Sequence, residues 1–509
     1  MKKFIALFLA LLMVASLVAC GTPKDPVDTA DTDDTTVGDT NESVADSETS
    51  DEGNTDAPAY DGVFQAGFGR IDITPDVPIT LNTGVPLTNV LDRLYATCIA
   101  VHDGKDTALI LTLDVKNMGT DFVDAAKKRI KTATGVPISN IMMSATHDHS
   151  APNPANTTTA LTKWTARLYN YIVDASEAAI EDLADAEVYI GTAKTTTMAS
   201  VRRYIHEDGS FSSIHYRGAS STPVVKYETE ADDTLQMLRF VRKDKKDIVM
   251  VNWQAHVAHA IGVYKDSITA DLVNFVRRDV ERDNDDVLLA YYQGASGNIN
   301  LTEKVKDSSD FDGNYQKVGQ GLADLILAAL KKPDKNFTKV NPGKIQGKCF
   351  TYTTTYRVID PDVLQRAQAV VDEAAKAGYA EGSEGYNALL DKYSMKSKYE
   401  VNKAISIAKQ NGKEVSMPLV AISFGDIAFA AIPYEMFDTN GMELKEGSPF
   451  KMTFVLTCAG GAGGYVPSAN SVPNGGYEVY TTGYKFGTAE EVVAELIEEF
   501  NKQKEKQFK

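Results

Sequence analysis

Strand-like apolar stretches that alternate with amphipathic helices constrain this chain more than any other feature. "TALILTLDV" (107–115), "NIMMSAT" (140–146), "DIVMVNWQA" (247–255), "DVLLAYYQG" (286–294), "LVAISFGDIAFAAIP" (419–433) and "FKMTFVLTCAG" (450–460) read as strands. "DFVDAAKKRIKTAT", "WTARLYNYIVDASEAAIEDLA", "ADLVNFVRRDVER", "YQKVGQGLADLILAALKK" and "TAEEVVAELIEEFNKQ" space their apolar residues as helices do. The alternation implies an α/β domain of mixed β-sheets covered by α-helices. Residues 361–413, rich in Ala, Lys and Glu, read as a helical insertion broken near 378–385, and no internal repeat is visible.

The N-terminus is of another kind. Lys2 and Lys3 precede "FIALFLALLMVASLVA", which is short for a membrane span and ends in small residues, as an export signal does. "LVAC" followed by Gly21 resembles the lipobox of bacterial lipoproteins, with Cys20 as the lipidated residue; an uncleaved anchor is the alternative. Either way the domain is expected outside the cytoplasm, tethered to the membrane. Residues 21–60 hold 12 acidic residues and one lysine and almost no large apolar side chains, so they predict a disordered tether. Of the net charge of −18, that segment carries −11 and the leader +2, which leaves −9 for the domain over 61–509. No basic stripe invites nucleic acid. Cys98, Cys349 and Cys458 lie in or beside apolar segments, form no C-x-x-C, and are expected to be buried thiols rather than a disulfide or metal ligands.

Histidine is scarce, seven in 509 residues, yet "SATHDHSAP" places His147 and His149 two apart where a strand runs into a proline-rich loop. Side chains two apart in extended chain point to one side, so the pair can converge on one ion; alone it serves equally as a capping or packing pair. "VNWQAHVAH" puts His256 and His259 at another strand end. Asp271, in "SITADL", stands at a helix start, where a carboxylate caps the helix or holds a histidine ring. Glu435 follows an apolar strand and Pro433, a costly place for a carboxylate unless a cation or solvent meets it. A glycine-rich segment then leads to Tyr465 and Tyr477.

Taken in order, "AGFGRIDITPD", "SATHDHSAP", "RRY" (202–204), "NWQAHVAH", "QGASGNIN", "IPYE" and "GYVPSANSVPNGGYEV" resemble the N-terminal catalytic domain of the neutral, non-lysosomal ceramidases, zinc amidases of bacteria and animals. The resemblance implies a neutral-ceramidase-like fold and a Zn2+ ion held by His147, His256, Glu435 and Tyr465. It gives His149 a part in orienting or protonating the reacting group, and makes Arg203 and Tyr477 hydrogen-bond donors to a polarised carbonyl. Water activated by the metal would be the nucleophile, with Glu435 or Asp271 managing its proton. Two departures stand out. "GNINLT" places Asn298 and Asn300 where the family has an aspartate and a serine, and the chain after "GYEV" holds one helix and then Lys509, short of the family's additional C-terminal β-domain.

These readings predict an extracytoplasmic zinc hydrolase that cleaves an amide of a small-molecule or lipid-like N-acyl substrate. The alternatives are a zinc esterase and, from another class, a surface lipoprotein that binds a ligand on the same scaffold without turnover. "GASGN" and "GGAGG" are too isolated to serve as dinucleotide or phosphate loops.

Overall fold

Neighbouring residues of the strand Ile141–Ala145 face opposite ways, and both ways are apolar: Met142 joins one hydrophobic cluster, while Ile141 and Met143 join another. The same division holds in Thr107–Leu113, where Ile110 opposes Leu109 and Leu111, and in Asp247–Trp253, where Ile248 and Met250 oppose Val249 and Val251. Strands buried on both faces need continuous apolar runs, which is why these segments were conspicuous in the sequence.

The computed structural model describes residues 62–507 apart from 82–85, 155–158, 216–220 and 303–313. The leader, Cys20 and the acidic tether lie outside the described residues. A nine-stranded mixed sheet follows the order Val287–Gln293, Asp247–Trp253, Thr234–Arg242, Ala184–Lys194, Gln65–Asp72, Tyr95–His102, Thr107–Leu113, Ile141–Ala145, with Phe337–Val340 also paired to Ala184–Lys194. A four-stranded sheet, Ile345–Thr355, Glu414–Phe424, Ile427–Ala431 and Met452–Leu456, lies against it. Between them Ile99, Ile110, Phe240 and Met250 meet Ile422, Phe424, Phe429 and Phe454. Helices including Thr159–Glu181 and Asp271–Asp283 cover the outer face of the large sheet, and Thr488–Gln507 covers the small one. The architecture is thus helix, sheet, sheet, helix, the α/β class the sequence predicts.

Helix Thr159–Glu181 lies so close on Gln65–Asp72 that a side-chain carbon at Gly67 or Gly69 would strike the carbonyl oxygens of Ala179 and Ala175. The glycines of "AGFGR" therefore serve close packing. The two ends of the large sheet's path, Ile141–Ala145 and Val287–Gln293, pack together, and the chain leaving Met452–Leu456 laces both: Ser144 bridges Ala459, and Thr457 N donates to Gln293 O at 3.2 Å.

Two details depart from the sequence reading. "LVAISFGDIAFAAIP" folds as a hairpin, Glu414–Phe424 paired with Ile427–Ala431, turning at Gly425 with φ 55°. Cys349 is exposed, not buried, because it lies on Ile345–Thr355, the edge strand of the small sheet, between the exposed Lys348 and Thr351; Cys98 and Cys458 are buried, and all three are free thiols. The insertion forms three helices, Pro361–Ala377, Glu384–Lys392 and Lys398–Ala408, N-capped by Asp360, Ser383 and Ser397 around a core of their own that includes Val370, Tyr386 and Val401.

Candidate metal centre

Loops leaving the C-terminal ends of five strands meet at one place. They carry His147 and His149 after Ile141–Ala145, His256 after Asp247–Trp253, Ser296 and Gly297 after Val287–Gln293, Glu435 after Ile427–Ala431, and Cys458 after Met452–Leu456. Backbone hydrogen bonds tie the loops together: His149 N to Val257 O at 2.9 Å, His256 N to Ile299 O at 3.1 Å, Gly297 N to Met436 O at 2.8 Å, Glu435 N to Gly464 O at 2.9 Å. Glu435 and Tyr465 are paired neighbours in a short parallel ladder. His147, Asp271 and Cys458 all have positive φ, 62°, 53° and 50°, so non-glycine backbone strain gathers here.

The ring nitrogens decide what the cluster can do. His147 Nδ1 lies 2.9 Å from Lys116 O, and His256 Nδ1 lies 2.7 Å from Ser296 O. A carbonyl only accepts, so each Nδ1 carries its proton, and in the neutral ring the lone pair is on Nε2. Both Nε2 atoms face one carboxylate oxygen, Glu435 Oε2, at 3.3 Å and 3.1 Å. His149 Nε2 lies 3.3 Å from His147 Nε2, and one ring nitrogen from each of the three histidines falls within 4.8 Å of the others. Acceptor atoms turned inward on one centre fit a divalent cation such as zinc.

Electrostatics agree. Burial, then the charge of Arg202, presses His256 down to about 3, and burial, then His147, holds His149 well below the usual imidazole range. Burial opposes charge on Glu435 too, but His147 and His256 hold its carboxyl well below the ordinary value. His147 goes the other way, to about 10: burial opposes this, and Cys458 and Glu435 overcome it.

The other residues singled out in the sequence divide. Tyr465 stands beside the cluster, its hydroxyl accepting from Arg202 Nη2 at 3.1 Å, and its ring lies 5.5 Å from that of Tyr477. Burial and the Glu435 charge raise the Tyr465 phenol well above its ordinary pKa. Arg203 does not reach this group. Its guanidinium pairs with Glu228 at 2.5 Å and with Glu478 at 3.1 Å, and donates to Ser471 O. Arg202, its neighbour in "RRY", takes the position beside the metal centre, donating to Glu478 at 2.8 Å, Gly297 O at 2.7 Å and Asn300 Oδ1 at 3.4 Å. The doublet was legible, but not which of its members faces inward. The Asp271 carboxylate accepts from the backbone N–H groups of His259, Ala260 and Leu272 and also feels the charge of His259, while its own helix has Ala270 at the N-cap and no side-chain cap. Glu478, Cys458 and the Lys116 carbonyl had no sequence signal; Cys458 Sγ lies 3.3 Å from His147 Nδ1.

Residues 64–294 match the family model described as neutral/alkaline non-lysosomal ceramidase, N-terminal. That stretch contains His147, His149, Arg202 and His256; Glu435 and Tyr465 lie beyond it. Two solved structures share the fold. One is described as a ceramidase complexed with C2 (14% identity, TM-score 0.60), the other as neutral ceramidase from Pseudomonas aeruginosa (15% identity, TM-score 0.59); each comparison covers 86% of this chain and 74% of the other. No curated protein matches.

Proposed function

We propose, from a chain whose residues 64–294 carry the N-terminal region of the neutral/alkaline non-lysosomal ceramidase family, that this protein is a zinc-dependent hydrolase of an N-acyl amide, held outside the cytoplasm by lipidated Cys20. One observation carries the reading: the Nε2 atoms of His147 and His256, fixed by carbonyls behind their rings, converge on the Glu435 carboxylate.

A zinc ion held by His147, His256, Glu435 and Tyr465 would supply Lewis acidity for the scissile carbonyl and acidify a water beside it. The protein's own groups do the rest. Hydrolysis adds a hydroxyl to the acyl carbon, breaks the C–N bond and returns a proton to the amine nitrogen. His149, depressed and therefore neutral at pH 7, can accept a proton and pass it on. Arg202 fixes the Tyr465 hydroxyl. Ser296 supports His256 through its carbonyl, while its buried hydroxyl hydrogen-bonds nothing among the described residues; no base activates it as a nucleophile, which favours water.

Asn300 beside Arg202, where the family has serine, favours one further reading, a ligand-binding lipoprotein without turnover. Elemental analysis of chelator-free protein, with turnover on a panel of N-acyl amides from short acyl groups to lipids, separates the two. One zinc per chain and amide cleavage that chelation abolishes support the hydrolase. Ligand binding without cleavage supports the binder, and absence of stoichiometric metal defeats the zinc hydrolase.

A further inference from the structure

Four rings in contact run from the metal centre to the surface. Tyr465 lies 5.5 Å from Tyr477 between ring centroids. Tyr477 meets His215 at 5.0 Å and Tyr399 at 5.3 Å, and His215 meets Tyr399 at 5.2 Å. Tyr399 comes from the first turn of the insertion helix Lys398–Ala408, remains 36% exposed, and has Lys398 Nζ 5.3 Å from its ring centroid. It stands outside the insertion's own hydrophobic core. Its contact with Tyr477 belongs to the packing of Lys398–Ala408 against the short helix Tyr477–Thr481, which joins the insertion to the aromatic residues beside the metal centre. His215 adopts φ 53° to reach the same cluster, a conformation an imidazole residue holds at local cost.

We propose that Tyr399 and His215 form the outer wall of the substrate site and select amides bearing a hydroxylated ring over those bearing an unbranched alkyl group. The inference rests on the hydrolase reading above. Aromatic faces cover the C–H face of such a ring, while the tyrosine hydroxyls, the imidazole nitrogens and the Lys398 ammonium at their edges meet its hydroxyls. An alkyl chain in the same place would desolvate those polar groups without replacing their hydrogen bonds.

The test uses two amides with the same acyl group, N-acetylglucosamine and N-hexylacetamide, on zinc-loaded protein. Wild type is expected to favour the sugar amide in kcat/KM. Tyr399→Ala should lose about tenfold of that preference, the size of one well-packed aromatic contact, more through KM than through kcat. Tyr399→Phe, which keeps the face, should retain most of it. Should Tyr399→Ala misfold, His215→Ala carries the same expectation. A preference unchanged within about twofold in a folded, metal-replete Tyr399→Ala overturns the wall, as does a wild type that favours the alkyl amide. If wild type cleaves neither amide, the wider amide panel decides the hydrolase reading, and equilibrium binding of the same two compounds decides the wall: tighter sugar binding that Tyr399→Ala weakens supports it, and equal or absent binding overturns it.

Discussion

His147 and His149 are two residues apart in sequence and their Nε2 atoms are 3.3 Å apart, yet their surroundings differ. His147 is locked from behind by Lys116 O and Cys458 and faces Glu435; the hydrogen bond of the His149 ring among the described residues is the inward one to His147. His147→Ala should strip zinc or weaken it severely. His149→Ala should keep most of the metal and lose on the order of 10²-fold or more in turnover, as a positioned acid, base or donor does. Metal content and turnover of both variants check this; equal loss of zinc from folded proteins would make His149 a ligand. A second residue bears on stability. Burial raises Asp438 to about 6, against the hydrogen bonds it accepts from Asn298 and from the backbone of Asp232 and Thr439. A carboxyl raised in the folded state contributes stability that is full below its unfolded pKa, about 4, and is lost as pH rises through 6. Asp438→Asn removes that loss, so its melting temperature relative to wild type should be higher at pH 7 than at pH 4.5, whatever the constant offset.

At the scale of elements, the site is set by how loops seat on one another. Gly297 presses on the short strand Glu435–Met436: a side-chain carbon there would lie 2.6 Å from Glu435 O and 2.8 Å from Met436 O. These are backbone atoms in a hydrogen-bonded ladder, unable to yield as a flexible side chain would. Gly297→Ala should therefore cost roughly 1–3 kcal/mol and push Glu435 off the histidines. Thermal unfolding with metal titration tests it, and a variant with wild-type stability and zinc affinity would refute the seating argument. The insertion works differently. Its three capped helices carry their own core, so its contribution to the site comes through Tyr399 at one helix start rather than through the fold of the main sheets.

For the whole molecule, the consequence is a cross-link between layers. His147 and His256 extend from the nine-stranded sheet and Glu435 from the four-stranded one, and among the described residues these sheets meet otherwise through the apolar cluster around Phe240, Phe424 and Phe454 and a few hydrogen bonds such as Asn252 Nδ2 to Val455 O at 3.3 Å. A cation bound only by the folded state stabilises it by mass action, about 4 kcal/mol at a thousandfold excess over Kd. Removing the metal should lower the melting temperature by roughly 5 °C, restored by zinc. Differential scanning calorimetry on apo and zinc-loaded protein measures it, and an unchanged transition would place any bound metal outside the junction of the sheets.

The sequence by itself determined the elements and the inventory. Strands buried on both faces must be apolar throughout and surface helices must be amphipathic, so Ile141–Ala145, Asp247–Trp253 and Asp271–Asp283 were legible from local pattern, and scarce histidines at strand ends marked the chemistry. Half-exposed strands such as Ala184–Lys194 and Ile345–Thr355 were not, because their pairing partners, not their own residues, hold them in place. Tertiary structure alone decided that Arg202 rather than Arg203 stands by Tyr465, that Asp271 is spent on backbone amides, and that Glu478 and Cys458 back the centre. Asp271 finds its amides within 12 residues, but the other outcomes depend on which side chain a loop turns inward across more than 250 residues of intervening chain, and no local periodicity encodes that.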